Sequence, residues 1–291
     1  DVALEVEVIV GEEAVVTAFG LERQKQSLTF STQGVETGQI TEARELNFVN
    51  SLQDKVAGLE ISQSGSGVGA PSRVVLRGNS SIVGDNQVLY VVDGVPTRGN
   101  PENFDSNNIA SIDVLKGPNA AAAYGNEAQN GAVIIETKRA RKGDINVSFS
   151  NNTMLQSANV RNDLQNIYGQ GSGGIFQVAS RNSWGPRMEG QTVPHWTLDP
   201  TRTGETLPLT PQPNNVKDIF NTGFSNTSNL QVGIGGENTQ TFVSLTFTDA
   251  EGVVPNNELQ RINSSVRVVS DLTDKLTLDA KVNYTYQETD N

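Results

Sequence analysis

Leu276, Leu278, Ala280, Val282, Tyr284 and Tyr286 alternate along the chain with Thr277, Asp279, Lys281, Asn283 and Thr285. So long a period of two gives one apolar and one polar face and has no helical solution, because a helix repeats every 3.6 residues. The pattern recurs with Ile145, Val147 and Phe149 set against Asn146, Ser148 and Ser150, and with Val243, Leu245 and Phe247 set against Ser244, Thr246 and Thr248. Ile262, Val266 and Val268 share a face, interrupted by Val269. Strands of this kind fit a half-buried antiparallel sheet or the lipid-facing wall of a transmembrane barrel.

The connections bear on that choice. A strand ending near Gly235 reaches one starting near Thr241 through Gly236-Glu237-Asn238-Thr239, and Asp271 to Lys275 joins the last pair. The others are longer: roughly 158–228, with both Trp and many Pro and Gly, and Glu251 to Gln260. Short turns alternating with longer loops is the rule for outer-membrane barrels. Counted from Ile145, about five strands reverse direction correctly at every step. Unpaired edge amides in lipid cost several kcal/mol each, so an open sheet of this size is not viable there. Further strands are therefore expected beyond Asn291.

Upstream the texture differs. Val2, Leu4, Val6, Val8 and Val10 alternate with other residues, and a second apolar patch, Ala14-Val15-Val16, follows Glu12-Glu13. Residues 25–44 are polar and linker-like. From Thr41, with an imperfect capping box at Arg44 and Glu45, the spacing of Leu46, Val49, Asn50, Leu52 and Val56 predicts a helix that Gly58 stops. Short strands are expected over 59–62, 73–77, 87–93, 109–115 and 131–138, and a helical turn over 120–124. These make a small α+β domain of ordinary size.

Composition removes some classes. No stretch approaches the roughly 20 consecutive apolar residues of a transmembrane helix, and the mean hydropathy of −0.37 does not argue against barrel strands. Twenty-one Lys and Arg against 33 Asp and Glu give a net charge of −12, which disfavours nucleic acid as a partner. There is no cysteine, hence no disulfide or thiolate metal site. Asp1 is not followed by a charged-then-apolar leader, so a signal peptide is expected to be removed or to lie outside this sequence.

Catalytic and cofactor patterns are weak. His195 is the sole histidine, too few for a His-based zinc site. Gly65-Ser66-Gly67-Val68-Gly69-Ala70 lacks the third glycine of a dinucleotide loop and precedes no helix. Asp105-Ser106-Asn107-Asn108 lacks the glycine and distal Glu of a calcium loop. A glycoside hydrolase would need two carboxylates at a fixed separation, and nothing nominates the pair. No enzyme, cofactor or metal is expected. Asp93-Gly94 and Gly117-Pro118 read as turn punctuation.

Several segments in order resemble one family. Arg73-Val74-Val75-Leu76-Arg77-Gly78-Asn79-Ser80-Ser81, then Leu89-Tyr90-Val91-Val92-Asp93-Gly94-Val95-Pro96, then Leu115-Lys116-Gly117-Pro118-Asn119 through Gly125, and finally Asn130-Gly131-Ala132-Val133-Ile134-Ile135 through Lys138, look like the plug signatures of SusC/RagA-like TonB-dependent transporters. Gln165-Asn166-Ile167-Tyr168-Gly169-Gln170-Gly171, Ser183-Trp184-Gly185-Pro186 and Gly252-Val253-Val254-Pro255-Asn256-Asn257 resemble the family's early barrel. The resemblance implies an α+β plug domain (25–142) after an N-terminal extension with a TonB box (1–24). It also implies antiparallel strands (143–291) opening a transmembrane β-barrel of roughly 22 strands, left incomplete by these residues.

The same resemblance implies TonB-driven import of an oligosaccharide or peptide across a Gram-negative outer membrane, with the plug gating the barrel and the N-terminus periplasmic. Implied partners are TonB with its inner-membrane energising complex, a SusD-like surface lipoprotein and outer-membrane lipid. Glu13, Ala14, Val15, Val16 and Thr17 resemble the TonB box, which would add as a strand to a sheet edge of its partner. Loops 63–72 and 95–108 would face outward and offer Gln63, Ser64, Ser66, Arg98, Asn100, Glu102 and Asn103 to substrate. Tyr284 and Tyr286 would fall in an aromatic girdle. The alternative is a soluble β-rich glycan-binding or adhesive module, whose loops need not alternate in length.

Overall fold

The structure, a computed structural model, describes residues 14–16, 22–24, 32–35, 45–63, 65, 67–79, 81, 86–97, 104–161, 164–195, 200–202 and 204–290. The Val2–Val10 alternation and Thr41 lie outside them. The chain divides into two compact units, Gln156–Gly223 with Val253–Pro255 forming the smaller one.

In the larger unit β1 (Ala14–Val16) pairs antiparallel with β2 (Glu22–Gln24), Ala14 facing Gln24. Strand β3 (Thr32–Val35) joins a five-stranded sheet described below. Strands β4 (Leu59–Gln63) and β5 (Ser72–Leu76) form a separate hairpin with Leu59 opposite Leu76. Then follow β6 (Leu89–Val92), β7 (Val95–Thr97), β8 (Ile109–Leu115), helix α1 (Pro118–Tyr124) and β9 (Ala132–Thr137). The sheet order is β3-β8-β9-β6-β7, with β6 and β9 parallel and the other pairs antiparallel.

The runs Leu89-Tyr90-Val91-Val92 and Ala132-Val133-Ile134-Ile135 do not alternate because both faces of their sheet are covered. Tyr90, Val133 and Ile135 join Phe48, Val49, Leu52, Val56 and Val74 in one core. Leu89, Val91, Ala132 and Ile134 meet Ala120 and Ala128 in the other, under α1 and the turn that follows it. The β6–β7 connection has positive φ at both central residues, Asp93 (48°) and Gly94 (84°). That is the type I′ turn that Asp-Gly favours, since its twist matches the strands.

The helix expected up to Gly58 is not formed over the described residues 45–58. The chain there runs in turns around a 3-10 segment, Asn50–Leu52, with bonds such as Asn50 N to Asn47 O and Leu52 N to Val49 O. The expected inward residues Val49, Leu52 and Val56 are nevertheless buried. Short polar side chains explain the difference by offering the backbone other partners. Asn47 Oδ1 accepts from the Val49 amide while its Nδ2 donates to Ser72 Oγ, and Ser51 Oγ donates to Phe48 O. Gln53 is then extended and Asp54 has φ of 64°, so no helix continues.

Strand β10 (Ile145–Gln156) leads to the smaller unit. That unit holds two short pairs, β11 (Gly171–Ser172) with β12 (Ile175–Phe176), and β13 (Thr192–Pro194) with β14 (Thr206–Pro208). Gln165 ties it locally, accepting from the Ile167 and Tyr168 amides and donating to the Tyr168 and Ser183 carbonyls.

The larger unit resumes with β15 (Gly223–Gly235), β16 (Thr239–Glu251), β17 (Glu258–Thr273) and β18 (Leu276–Asp290). They form a five-stranded sheet in chain order, β10-β15-β16-β17-β18. The expected strands are present and longer than their alternating cores, and the short connections are Gly236 to Asn238 and Asp274-Lys275. Burial is inverted relative to a water-soluble sheet. On β16, Leu245 and Phe247 are 50% and 45% exposed, whereas Ser244 and Thr246 are 1% and 2%. In register, Leu230, Leu245 and Tyr284 form one outward row and Val232, Val243, Val266 and Val282 the next. From Leu276 to Tyr286 the outward row spans about 33 Å of strand at ~3.3 Å per residue. At a tilt near 40° that is about 25 Å of height, the apolar band of an outer-membrane barrel.

Candidate functional site

The polar face of this sheet grips the α+β domain, and period two decides which side chains do so. Asn229 and Gln231 on β15, Thr246 on β16, and Arg261 and Arg267 on β17 are all buried on this face, with Lys281 beside them on β18. No other face of these strands carries buried charge among the described residues.

The centre of the grip is Asp93, which the type I′ turn projects from the end of β6. Its Oδ1 accepts from Arg267 Nη1 at 3.2 Å and from the Thr137 amide at 3.0 Å. Its Oδ2 accepts from Lys281 Nζ at 2.8 Å and Thr137 Oγ1 at 2.7 Å. Arg267, whose side chain is 4% exposed, also meets Asp279 through Nε and Nη2 at 2.9 and 2.6 Å, a bidentate cross-strand pair. Lys281 Nζ lies 5.4 Å from the centre of the Phe104 ring, within cation–π range.

Burial alone would push the Asp93 carboxyl up. The hydrogen bond from Lys281, those from the Thr137 amide and hydroxyl, and the Lys281 charge outweigh it and hold the group below the ordinary Asp value of 3.8. Buried ions surrender their hydration, so such a cluster adds little net stability and instead makes one position much better than its neighbours. It can clamp, and it can be pulled apart into water.

Further hydrogen bonds extend the grip. Thr246 Oγ1 donates to Asp105 Oδ2 in a short hydrogen bond, and Asp105 Oδ1 accepts from the Asn107 amide at 2.9 Å, capping the turn before β8. Gln231 Nε2 donates to Asn107 O at 2.7 Å. Arg261 Nη1 donates to Leu46 O at 3.1 Å, and the Val68 amide donates to Asn257 Oδ1 at 2.6 Å. The segment leaving β9 closes on β15 through Gly143 N to Gly235 O at 3.0 Å and Gly235 N to Asp144 O at 2.7 Å. A Cβ on Gly235 would stand 1.7 Å from Arg141 O, so only glycine permits this approach.

The residues singled out in the sequence fall elsewhere. Ala14, Val15 and Val16 form β1 and face Gln24, Arg23 and Glu22, while Glu13 and Thr17 lie outside the described residues. Gln63 ends β4 and is exposed. Ser64, Ser66, Arg98, Asn100, Glu102 and Asn103 are outside the described residues. Tyr284 and Tyr286 are exposed on the outward face. In the sequence Asp93 reads as half of a turn within a plug signature and Lys281 as a polar member of an alternating strand, while nothing singles out Arg261 or Arg267. The available signal was full-length charge at inward positions, where Asn, Ser and Thr otherwise prevail.

Comparison with known proteins agrees with this arrangement. Residues 24–132 match the TonB-dependent Receptor Plug Domain family. A TonB-dependent receptor of Formosa agariphila is 29% identical over 295 residues, covering 100% of this chain and 28% of that protein. The TonB-dependent receptor SusC of Bacteroides thetaiotaomicron is 25% identical over 269 residues, covering 88% and 24% respectively. The chain thus spans about a quarter of the length of these curated relatives. In fold it is similar to the RagAB peptide importer in its open-open state, with TM-score 0.75 at 21% identity over 95% of this chain and 32% of that one.

Proposed function

Because this chain belongs to the SusC/RagA-like TonB-dependent receptors, as their plug domain and opening barrel strands, we propose that it serves active import across the outer membrane, with the plug as gate. The observation that carries this reading is the two-faced sheet. One face is exposed and apolar over the height of a bilayer core, and the other is buried, polar and clamped on Asp93. A soluble β-rich module would have no reason to expose Leu245, Phe247 and Val282.

In this reading substrate binds on the side of the longer connections, where loops 63–72 and 95–108 would present Gln63, Ser64, Ser66, Arg98, Asn100, Glu102 and Asn103. The bond from Val68 to Asn257 supports it, because it joins the first of those loops to the 252–257 connection. The cargo is an oligosaccharide or a peptide, delivered under a SusD-like surface lipoprotein. TonB, energised from the inner membrane, engages Glu13–Thr17 from the periplasm by strand addition. Force along the chain then breaks the Asp93 clamp and shifts the plug.

Deleting Val15–Thr17 from the full-length protein tests this. Uptake should fall to background while substrate binding is kept. Uptake at the wild-type rate would sink the assignment of that segment.

A further inference from the structure

The grip on the plug is uneven. Towards β17 and β18 it consists of the partly buried ion pairs Arg267–Asp93 and Lys281–Asp93. Towards β10, β15 and β16 it leaves a cavity of about 610 Å³, between the segment leaving β9 and the inner face of the sheet. That volume suits a ligand of a few hundred daltons. Lys138, Arg139 and Arg141 line it from the plug side, and Asn146, Ser148 and Gln231 from the wall.

Its charge stands out. In a chain of net charge −12, four of 21 Lys and Arg fall within Lys138–Lys142. The Asp93 and Asp279 clamp is built from Arg267 and Lys281 instead, and Lys138 Nζ donates to Gln231 Oε1 at 3.3 Å. Asp144 also lines the cavity, and Asp279 lies within the field of Arg139. Arg139 and Arg141 against one lining carboxylate, with Asp279 already held by Arg267, leave the wall positive. On the opposite wall Gln231 is already bonded to Asn107 O and Lys138 Nζ, so Asn146 and Ser148 offer the amide and hydroxyl that can hydrogen-bond a solute without selecting its charge.

We propose that this cavity is an anion-selecting passage, in which Arg139 and Arg141 hold a carboxylate- or sulfate-bearing solute between the plug's exit segment and the β10–β15–β16 wall. The inference rests on the plug acting as a gate. It adds where the gate yields, on the side away from the Asp93 ion pairs, and which charge of cargo it favours. A cleft lined by one sign of charge raises the local concentration of its counter-ion, by about tenfold at the lower end.

The chain has no cysteine, so Ser148→Cys places a single reporter on the cavity wall of this region. In the full-length protein in detergent, the reaction rates with the anionic sulfonatoethyl and the cationic trimethylammonioethyl methanethiosulfonates are compared, each relative to a free thiol. Their ratio cancels the thiolate fraction. It should favour the anionic reagent about tenfold, and Arg139→Gln with Arg141→Gln should bring it to about one. A ratio of one in the parent, or about tenfold retained in the double variant, overturns the proposal. Ala140→Cys provides a second reporter if Ser148→Cys does not fold. Repeating the labelling in cells with and without TonB separates the two ideas. A charge preference without TonB dependence would count against the gate and leave the anion site standing; TonB dependence with a ratio of one would remove the anion site alone.

Discussion

Replacing Asp93 by Asn removes one charge from the clamp while keeping the side chain's shape and its bond from the Thr137 amide. Arg267 retains Asp279. Lys281, with its side chain only 16% exposed, is left with the Thr137 hydroxyl at 3.0 Å and the face of Phe104. Breaking a buried pair by removing one partner costs about 3–5 kcal/mol, because the other charge stays buried. The surviving contacts place Asp93→Asn at the lower end, about 3 kcal/mol, or about two powers of ten in the local opening equilibrium. Hydrogen exchange of the Thr137 amide in the full-length protein reads that opening, with amides inside β9 as the internal reference. Exchange should accelerate about a hundredfold at Thr137 and little at the reference. Adding Lys281→Met should recover part of the loss, since the orphaned charge is then gone. An Asp93→Asn rate within about threefold of wild type, or no recovery in the double variant, would show that the cluster does not hold the plug.

Acid should have a matching effect. The folded Asp93 pKa is depressed, so its contribution is complete above the ordinary value of 3.8 and is lost as pH falls below that; Thr137 protection, corrected for intrinsic exchange, should hold from neutrality to about 3.8 and weaken below. Gly235→Ala would drive a Cβ into Arg141 O and should cost more than about 3 kcal/mol, seen as loss of the folded band in unboiled gel electrophoresis. Val243→Arg, in the central all-valine outward row, should destabilise folding into lipid vesicles by about 2–4 kcal/mol. An unchanged folding titration would argue against a lipid-facing wall.

Sequence alone determined the local and periodic features. Alternation in 243–248 and 276–286 fixed which residues share a face, because a strand's side-chain period is two wherever it is placed. Asp93-Gly94 fixed a tight turn, because few dipeptides accept positive φ twice. The order of plug and barrel segments was legible for the same reason, as each is a short run with its own turn chemistry. Only the tertiary structure decided the rest. The spacing of Leu46, Val49 and Leu52 announced a helix, but Asn47 and Ser51 competed for its backbone, and 3-10 turns bury the same residues. Asp93 became the centre of the clamp because Arg267 and Lys281, 174 and 188 positions away, are brought to it by strand register. A turn residue carries no local mark of the charges that will meet it. Contacts between segments so far apart follow from packing, which no window along the chain contains.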